Sequence, residues 1–404
     1  MKPEIPPTNG LALYFKDLNP FNHQQDLASC ISALLNIPKP ALTCSGTAAL
    51  IIALETLKEL YPQKTQVIIP AWTCPLVALA IEKIGLIPIL CDLEKNHFKF
   101  DLHDLKQKNN ISTLAIIVTH FAGLVYDLTD LKYIAQQHNT YLIEDAAQAM
   151  GAKYNHQSVG LQGDIAFFSL AFGKGLTSAE GGILFSIRPE LQKKIHKKAS
   201  KVPMLKDWEF KRSIELFGYT LLYRPSTLSW IYGHHLRKYL KENNEIAAVG
   251  DDFNQEDIPI HQLGKWRSHV AAHAANRLPE HWNQAHLQAK KRIEQLRKLP
   301  HLTIFDEESS TTATFPFILI LAEHKKITDA ILAALWTGGL GITKLFVRAI
   351  PDYPALKHLH SSVPNAIDFA ERSFTITNSA WLDDQNFNKI LKTIEMITLQ
   401  YDLI

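Results

Sequence analysis

Three turns in this chain carry groups able to bind an anion and to move a proton. Ser45-Gly46-Thr47 stands where a strand-like run at 41–44 gives way to a helical pattern at 48–57, so its backbone N–H groups can face negative charge. Glu144-Asp145 closes the run 141–143 and leads into Ala146-Ala147-Gln148. Phe167-Phe168-Ser169 precedes Gly173-Lys174-Gly175, and Glu180-Gly181-Gly182 opens the next run. Each alone has a plain structural reading. A Ser-Gly-Thr turn is more often a helix cap, an Asp at a strand end commonly caps the next helix, and a lysine in a Gly-flanked loop is usually solvated. Taken together, in this order, they supply an anion cradle, an acid and an amine. The three-residue offset from Asp145 to Gln148 would place both on one helix face.

The elements that must position these groups form an alternating series. Apolar runs at 41–44, 67–69, 88–91, 114–119 and 141–143 are separated by helical patterns such as 48–57, 75–84 and 128–137. That alternation implies right-handed crossovers and a mostly parallel sheet buried on both faces, so the fold class is α/β. Ligands of open α/β sheets sit at the carboxyl ends of strands, where the three turns lie. From Pro189 onward the pattern is mainly helical. Segments 214–223 and 228–240 are rich in aromatic residues and break at Arg224-Pro225; 243–257 reads as a polar linker. A long helical pattern at 264–299, a β-rich run at 314–321 and helices at 327–336 and 386–399 follow. This divides the chain into a large domain, residues 1–245, and a smaller α+β domain, 246–404.

Composition narrows the function classes. Of 404 residues, 46% are hydrophobic and 20% charged, and Lys plus Arg exceed Asp plus Glu by only two. No basic excess points to nucleic acid. Cys30, Cys44, Cys74 and Cys91 are scattered, with no CxxC pair and no His at ligand spacing, which argues against a disulfide framework or a metal site. The N-terminus lacks the apolar run of a signal peptide, and no stretch reaches the length of a membrane span, so a cytoplasmic location is expected. Segments 214–223 and 228–240 read as helices packed on the core or on a second subunit. Contact with a membrane surface through Arg224, Arg237, Lys238 and Lys241 is the weaker reading.

The run from Ile143 to Gly151, then Val159-Gly160, Gly163-Asp164, Phe168-Ser169, Lys174 and Glu180-Gly181-Gly182, resembles the DegT/DnrJ/EryC1/StrS family of sugar aminotransferases that use pyridoxal 5'-phosphate (PLP). The resemblance extends upstream through Ser45–Leu50, Val67–Pro70 and Thr119-His120, and it thins beyond about residue 190. It implies the fold type I architecture and PLP as cofactor. It also implies a homodimer and amino transfer, with glutamate as donor, to a nucleotide-linked keto sugar. Lys174 matches the lysine that bonds the cofactor and shuttles a proton. Asp145 matches the acid paired with the pyridinium nitrogen, Gln148 the side chain near the ring hydroxyl, and Thr47, the Ala48 amide and Ser169 the phosphate donors. Glu180 is expected to order its loop, and His120 is open between structural and active-site roles. Two positions depart from the family pattern. Cys74 stands where relatives place an aromatic ring against the cofactor, leaving Trp72 as the alternative stacking residue. Ile260-His261-Gln262 stands where relatives carry Asn-Tyr-Arg, with Arg267 nearby as a compensating cation or, more simply, a surface residue. Two other functions stay open: a PLP-dependent sugar dehydratase, against which Lys174 argues because those relatives have lost the lysine, and a non-catalytic PLP-binding regulator.

Overall fold

The computed structural model describes residues 3–19, 25–254 and 258–401. Helix α1 (Leu27–Leu35) is capped by Asp26, whose carboxylate accepts the Ser29 amide. Alternating elements follow: β1 (Ala41–Thr43), α2 (Gly46–Leu60), β2 (Gln66–Pro70), α3 (Pro75–Lys83), β3 (Ile87–Cys91), α4 (Leu102–Lys108), β4 (Thr113–Thr119), α5 (Thr129–Gln136) and β5 (Tyr141–Asp145). A short hairpin of β6 (Lys153–Tyr154) and β7 (Gln157–Ser158) precedes β8 (Ile165–Ser169) and β9 (Gly182–Ser186).

Seven of these strands form one sheet in the order β1-β9-β8-β5-β4-β2-β3. Strand β9 runs antiparallel to both its neighbours; the β8-β5-β4-β2-β3 pairings are all parallel. Every residue of β4 and β5 is buried, the expected consequence of helices on both faces. On α2, Leu50, Ile51, Leu54 and Leu57 are fully buried, and each such side chain contributes about 1.5–3 kcal/mol of transfer free energy. Register sets Thr119 beside Asp145 and Asp145 beside Phe167, so β4 and β5 end level and β8 runs two residues further along the same edge. The α/β class and the mostly parallel sheet stand as the sequence implied.

The chain then turns helical: α6 (Pro189–Ala199), α7 (Lys206–Leu222), α8 (Pro225–Leu228), a π-helical turn (Ser229–Gly233), α9 (His234–Lys241) and α10 (Glu245–Val249). Helix α10 corrects the linker expected at 243–257. Asn244 caps it by accepting the Ala247 amide, and Gly250 ends it in a left-handed conformation; residues 255–257 lie outside the described residues. The single helix expected over 264–299 is two, α11 (Lys265–Ala275) and α12 (Leu278–Leu296), with Pro279 in the first turn of the second. Helix α11 packs on α1 and α7, whereas α12 reaches the second sheet.

That sheet is antiparallel, ordered β10-β12-β14-β13 from β10 (Leu302–Ile304), β12 (Phe317–Ala322), β13 (Ile342–Thr343) and β14 (Ser373–Thr377). Helices α13 (Lys325–Leu335), α14 (Pro364–Arg372) and α15 (Asp384–Tyr401) complete this part, and β11 (Thr311–Thr312) pairs back onto β6. The N-terminal segment ties the parts together. Glu4 N–H donates to the Pro225 carbonyl, Ile5 to Gly339, Asn9 to Pro316 and Leu11 to Gly175, at 2.8–2.9 Å. Among the described residues no helix is long and apolar enough to cross a membrane.

Candidate active site

Lys174 sits in the loop between β8 and β9, in a turn closed by its own N–H on the Ala171 carbonyl at 3.2 Å. Gly173 before it has φ 77°, and a Cβ there would meet Thr8 Oγ1 at 2.8 Å, so the position suits only glycine. Burial pushes the Lys174 amine below its ordinary range; Cys74, Asp145 and Asp251 act the other way, which places all three within electrostatic reach of it. Asp145, at the end of β5, is 4% exposed. Its Oδ1 accepts the Ala147 amide at 3.1 Å. Burial raises its pKa, against the Ala147 amide, Lys174 and His120.

The anion cradle forms where α2 begins beside the end of β8. A Cβ on Gly46 would lie 3.1 Å from Ser169 Cβ, so glycine allows that approach. Ser45 is the helix cap, and its Oγ accepts the Ala48 amide at 3.0 Å. This corrects the expectation for Ala48: its N–H is already engaged in capping. The donors left are the Gly46 and Thr47 amides, which the first helical turn cannot satisfy, and the half-buried Thr47 hydroxyl. Ser169 Oγ faces the same corner while accepting the Ala171 amide at 3.3 Å. Gln148, whose Oε1 accepts the Ala122 amide at 2.9 Å, lines one small cavity with Ser169, Lys174, Asn9 and His281.

Cys74 begins α3, and its thiol is pushed up to about 12, first by burial and then by Asp251, so it stays protonated. Trp72 is not a stacking alternative. It is fully buried, its Nε1 donates to the Phe346 carbonyl at 3.2 Å, and its ring packs on Phe121, Phe346 and Phe369. His120 is structural: it donates from Nε2 to Glu144 at 2.9 Å, and its Nδ1 accepts the Tyr126 amide at 3.0 Å. Glu180 orders its turn, accepting from Trp208 Nε1 at 2.9 Å and Arg212 Nε at 2.8 Å.

Arg267 corrects the surface reading. It is fully buried, forked onto Glu209, and donates to the Ser178 and Glu180 carbonyls. Its partners lie 58 residues or more away in sequence, so no local pattern reveals them. The segment in the Asn-Tyr-Arg slot folds onto its own chain: the His261 carbonyl accepts the Cys44 amide at 3.2 Å, one residue before the cradle. His261 Nε2 is buried without a partner among the described residues. Sequence reasoning missed Asp251, which lies in the expected linker. It is 9% exposed, accepts the Tyr353 hydroxyl at 2.9 Å, and is raised to about 7, chiefly by burial. No local signal marks it, because a buried carboxylate and a loop carboxylate look alike in sequence. Among the described residues no cluster suits a metal ion.

An amine of lowered pKa, a buried acid and a donor-lined turn at the carboxyl ends of a parallel sheet define an α/β protein built to hold an anionic, carbonyl-bearing ligand. The DegT/DnrJ/EryC1/StrS aminotransferase family model matches residues 19–220, half of the chain, and the chain belongs to that family. GDP-perosamine synthase of Vibrio cholerae is 32% identical over 152 residues, 38% of this chain and 41% of that protein. The UDP-N-acetyl-3-dehydro-alpha-D-glucosamine 3-aminotransferase of Acidithiobacillus ferrooxidans is 33% identical over 175 residues, 43% of this chain and 47% of that protein. The match thus spans less than half the length of either relative. In fold, Spr1654 of Streptococcus pneumoniae in its PMP form superposes with TM-score 0.76 at 17% identity, covering 98% of both chains. The sugar aminotransferase CalS13 of Micromonospora echinospora gives 0.72 at 17%, covering 97% of this chain and all of that one.

Proposed function

We propose that the protein is a PLP-dependent aminotransferase that transfers an amino group, from glutamate, to a nucleotide-linked keto sugar in a ping-pong sequence. The observation that carries this reading is the convergence of Lys174 and Asp145 beside the donor turn at Gly46–Thr47. The residues fit PLP: Gly46 lets the first turn of α2 and its amides come close to the Ser169 hydroxyl, and among the described residues Asp145 has one backbone donor. When bound, PLP supplies an electron sink for the bond broken at the substrate carbon. Thr47, Ser169 and the first amides of α2 would hold the phosphate, helped by the helix dipole. Asp145 would hold a proton on the ring nitrogen, and Gln148 would be the neighbour of the ring hydroxyl. Lys174 Nζ, desolvated and so able to be neutral, would be the amine that bonds the cofactor and takes the proton at the substrate carbon. Cys74 would be the side chain set against the ring.

The keto sugar enters a cleft of about 670 Å³ lined by Gly10, Tyr14, Tyr223, Arg224, Glu280 and Trp381. Asn9 and His281 line both this cleft and the Lys174 cavity, so the two spaces adjoin. The nucleotide-linked class is favoured by the GDP and UDP sugars in the names of two relatives. The active enzyme is a homodimer, as the family resemblance implies. Borohydride reduction of the PLP-loaded protein followed by peptide mapping should label Lys174. Added glutamate should then bleach the absorbance of unreduced protein, and a nucleotide-linked keto sugar should restore it. A label on another lysine, or a spectrum no amino donor changes, would refute this reading.

A further inference from the structure

From Pro225 to Lys241 the chain runs as one helix in three pieces: α8, the π-helical turn at Ser229–Gly233, and α9. Right-handed helical dihedrals carry through Leu228, Ser229, Gly233 and His234. The inner side of this helix is fixed. Leu228, Ser229, Gly233 and Leu236 are buried. Glu4, 2% exposed, accepts Arg237 Nη1 at 2.6 Å, while Arg237 Nη2 donates to the Ser229 carbonyl at 3.1 Å. A Cβ on Gly233 would collide with that ion pair, so glycine lets the helix seat against the N-terminal segment. The helix is thus held against rolling, and its outer side stays outward. That side carries Trp230 and Ile231, exposed at 67 and 54%, then His234, Lys238 and Lys241, all exposed. Spacings of four, four and three from Trp230 to Lys241 set these residues along one face. Two large apolar side chains stand in water at one end of it and two ammonium groups at the other.

We infer that this outer face of α8–α9 docks on an anionic phospholipid surface, with Trp230 and Ile231 entering the headgroup layer and Lys238 and Lys241 meeting its phosphates. Charge carries the choice of occupant. Residues 221–241 hold Arg224, Arg237, Lys238 and Lys241 and no Asp or Glu. Arg237 is turned inward to Glu4, which leaves Arg224, Lys238 and Lys241 facing solvent. The next acids along the chain are Glu242, which is exposed, and Glu245, which Arg348 holds at 2.9 Å. The balance is positive, and each Lys or Arg near an anionic leaflet adds to the attraction. Trp beside Lys is also the composition of a helix lying in a membrane interface. The indole is amphipathic, and the lysine stem can stretch its ammonium to the headgroups. A protein partner is the poorer match, because lysine is depleted where proteins bury surface against each other. A second copy is poorer still, since a twofold contact would bring the same unbalanced cations together. Such a contact is peripheral and asks for no spanning helix. Arg224, at the start of the segment, also lines the cleft of about 670 Å³, so one lip of that cleft stands beside the docked face. The inference stands independently of the reading of the Lys174 site.

The test sediments the full chain with vesicles of phosphatidylcholine alone or mixed with phosphatidylserine. The native protein should sediment with the mixed vesicles and severalfold less with phosphatidylcholine alone. Binding should also fall severalfold at about 1 M salt, where the Debye length shrinks to about 3 Å. Lys238→Glu with Lys241→Glu should weaken binding at least about tenfold, since each lysine at an anionic surface is worth about fivefold. Trp230→Ser with Ile231→Ser should weaken it by a similar factor. Fluorescence reads the depth. Trp230 is the only tryptophan among the described residues that is more than half exposed. Brominated phosphatidylcholine in the mixed vesicles should therefore quench the native chain and leave Trp230→Phe, which keeps an apolar ring and still sediments, unquenched. No sedimentation, equal sedimentation with neutral vesicles, or quenching that persists in Trp230→Phe overturns the inference. So does a lipid-free mass by light scattering that Trp230→Ser with Ile231→Ser lowers, because another copy would then cover the face. If the serine pair disturbs folding, the quenching of native chain against Trp230→Phe decides.

Discussion

The two faces of the sheet at the end of β5 treat adjacent acids in opposite ways. Glu144 and Asp145 are neighbours on one strand, so their side chains leave opposite faces. Glu144 is fully buried and receives His120 at 2.9 Å, the Gly160 and Gln162 amides at 2.8 Å and the Gly163 amide. Burial pushes its pKa up, but His120 and those amides outweigh it, and the carboxyl titrates below its ordinary value. Asp145 has one amide, and burial prevails. A buried carboxylate surrounded by donors is a strut between loops, whereas one with a single donor keeps its capacity for a cationic partner. The fold thus places a structural acid and a chemically available one a single residue apart.

The largest effect expected on the Asp145 face is from Lys174→Ala: no borohydride-fixed cofactor and no turnover, with the thermal midpoint of unfolding unchanged. Asp145→Asn should keep some PLP bound yet lower kcat by about 10²–10³-fold, the scale of removing one electrostatic stabiliser from an active site. A near-native rate would remove Asp145 from the mechanism. On the other face, Glu144→Ala should leave His120 and three amides without their acceptor and destabilise the fold by about 3–5 kcal/mol, measured by denaturant unfolding. Because the folded carboxyl titrates below the unfolded one, Glu144 contributes stability that is present above about pH 4.5 and lost as pH falls further. Glu144→Gln should therefore flatten that acid limb, and an unchanged slope of stability against pH would deny Glu144 its role as a strut.

The first half of the chain was legible because its signals are local. The strand at Gln66–Pro70, the helix that Pro75 opens and the Ser45 cap are each written in consecutive residues. Lys174, Asp145 and Ser169 could be brought together on paper because parallel strands deliver their carboxyl ends to one edge. The helical half defeats that logic. Arg267 reads as a surface cation until Glu209 folds against it. Even Trp72, in the first half, reads as a ring-stacker until Phe346 of the second half takes its N–H. Asp251 reads as a linker residue until Tyr353, 102 positions later, donates to it. Burial by distant partners, not local pattern, decides each of these cases.

Asp251 sharpens the comparison by adding a second carboxylate to the Asp145 face. It is raised to about 7, and in reach of it stand Tyr353, Asp252, Lys174 and the Val347 backbone, with Cys74 and Asp145 around the same amine. As pH rises through 7 its proton leaves, and the new negative charge favours the cationic, non-nucleophilic form of Lys174. The rate at which Lys174 captures PLP, followed by absorbance, should therefore fall short above pH 7 of the rise an unhindered amine would show. Asp251→Asn should remove that shortfall, by several-fold at pH 8. A variant profile superimposable on the native one would leave Asp251 a purely structural partner of Tyr353.

The smallest effect belongs to Cys74, the one position on that face where this chain departs from its family's aromatic residue. With Trp72 locked among Phe121, Phe346 and Phe369, no other residue of the Pro70–Cys74 turn offers a ring. The thiol, held protonated by burial, is inert and serves as a small polarisable surface. If it covers the cofactor ring, Cys74→Phe should be tolerated and should tighten PLP binding by about 0.5–1.5 kcal/mol, the range for ring stacking. Cys74→Lys should instead lose PLP on gel filtration, since an extra amine beside Lys174 raises the positive charge of a desolvated site and fills the space above the ring. PLP retention by absorbance after the column reads both. Should Cys74→Lys hold PLP as firmly as the native protein, the residue lies off the ring, and Lys174, Asp145 and the phosphate donors would have to hold the cofactor in place without a stacking partner.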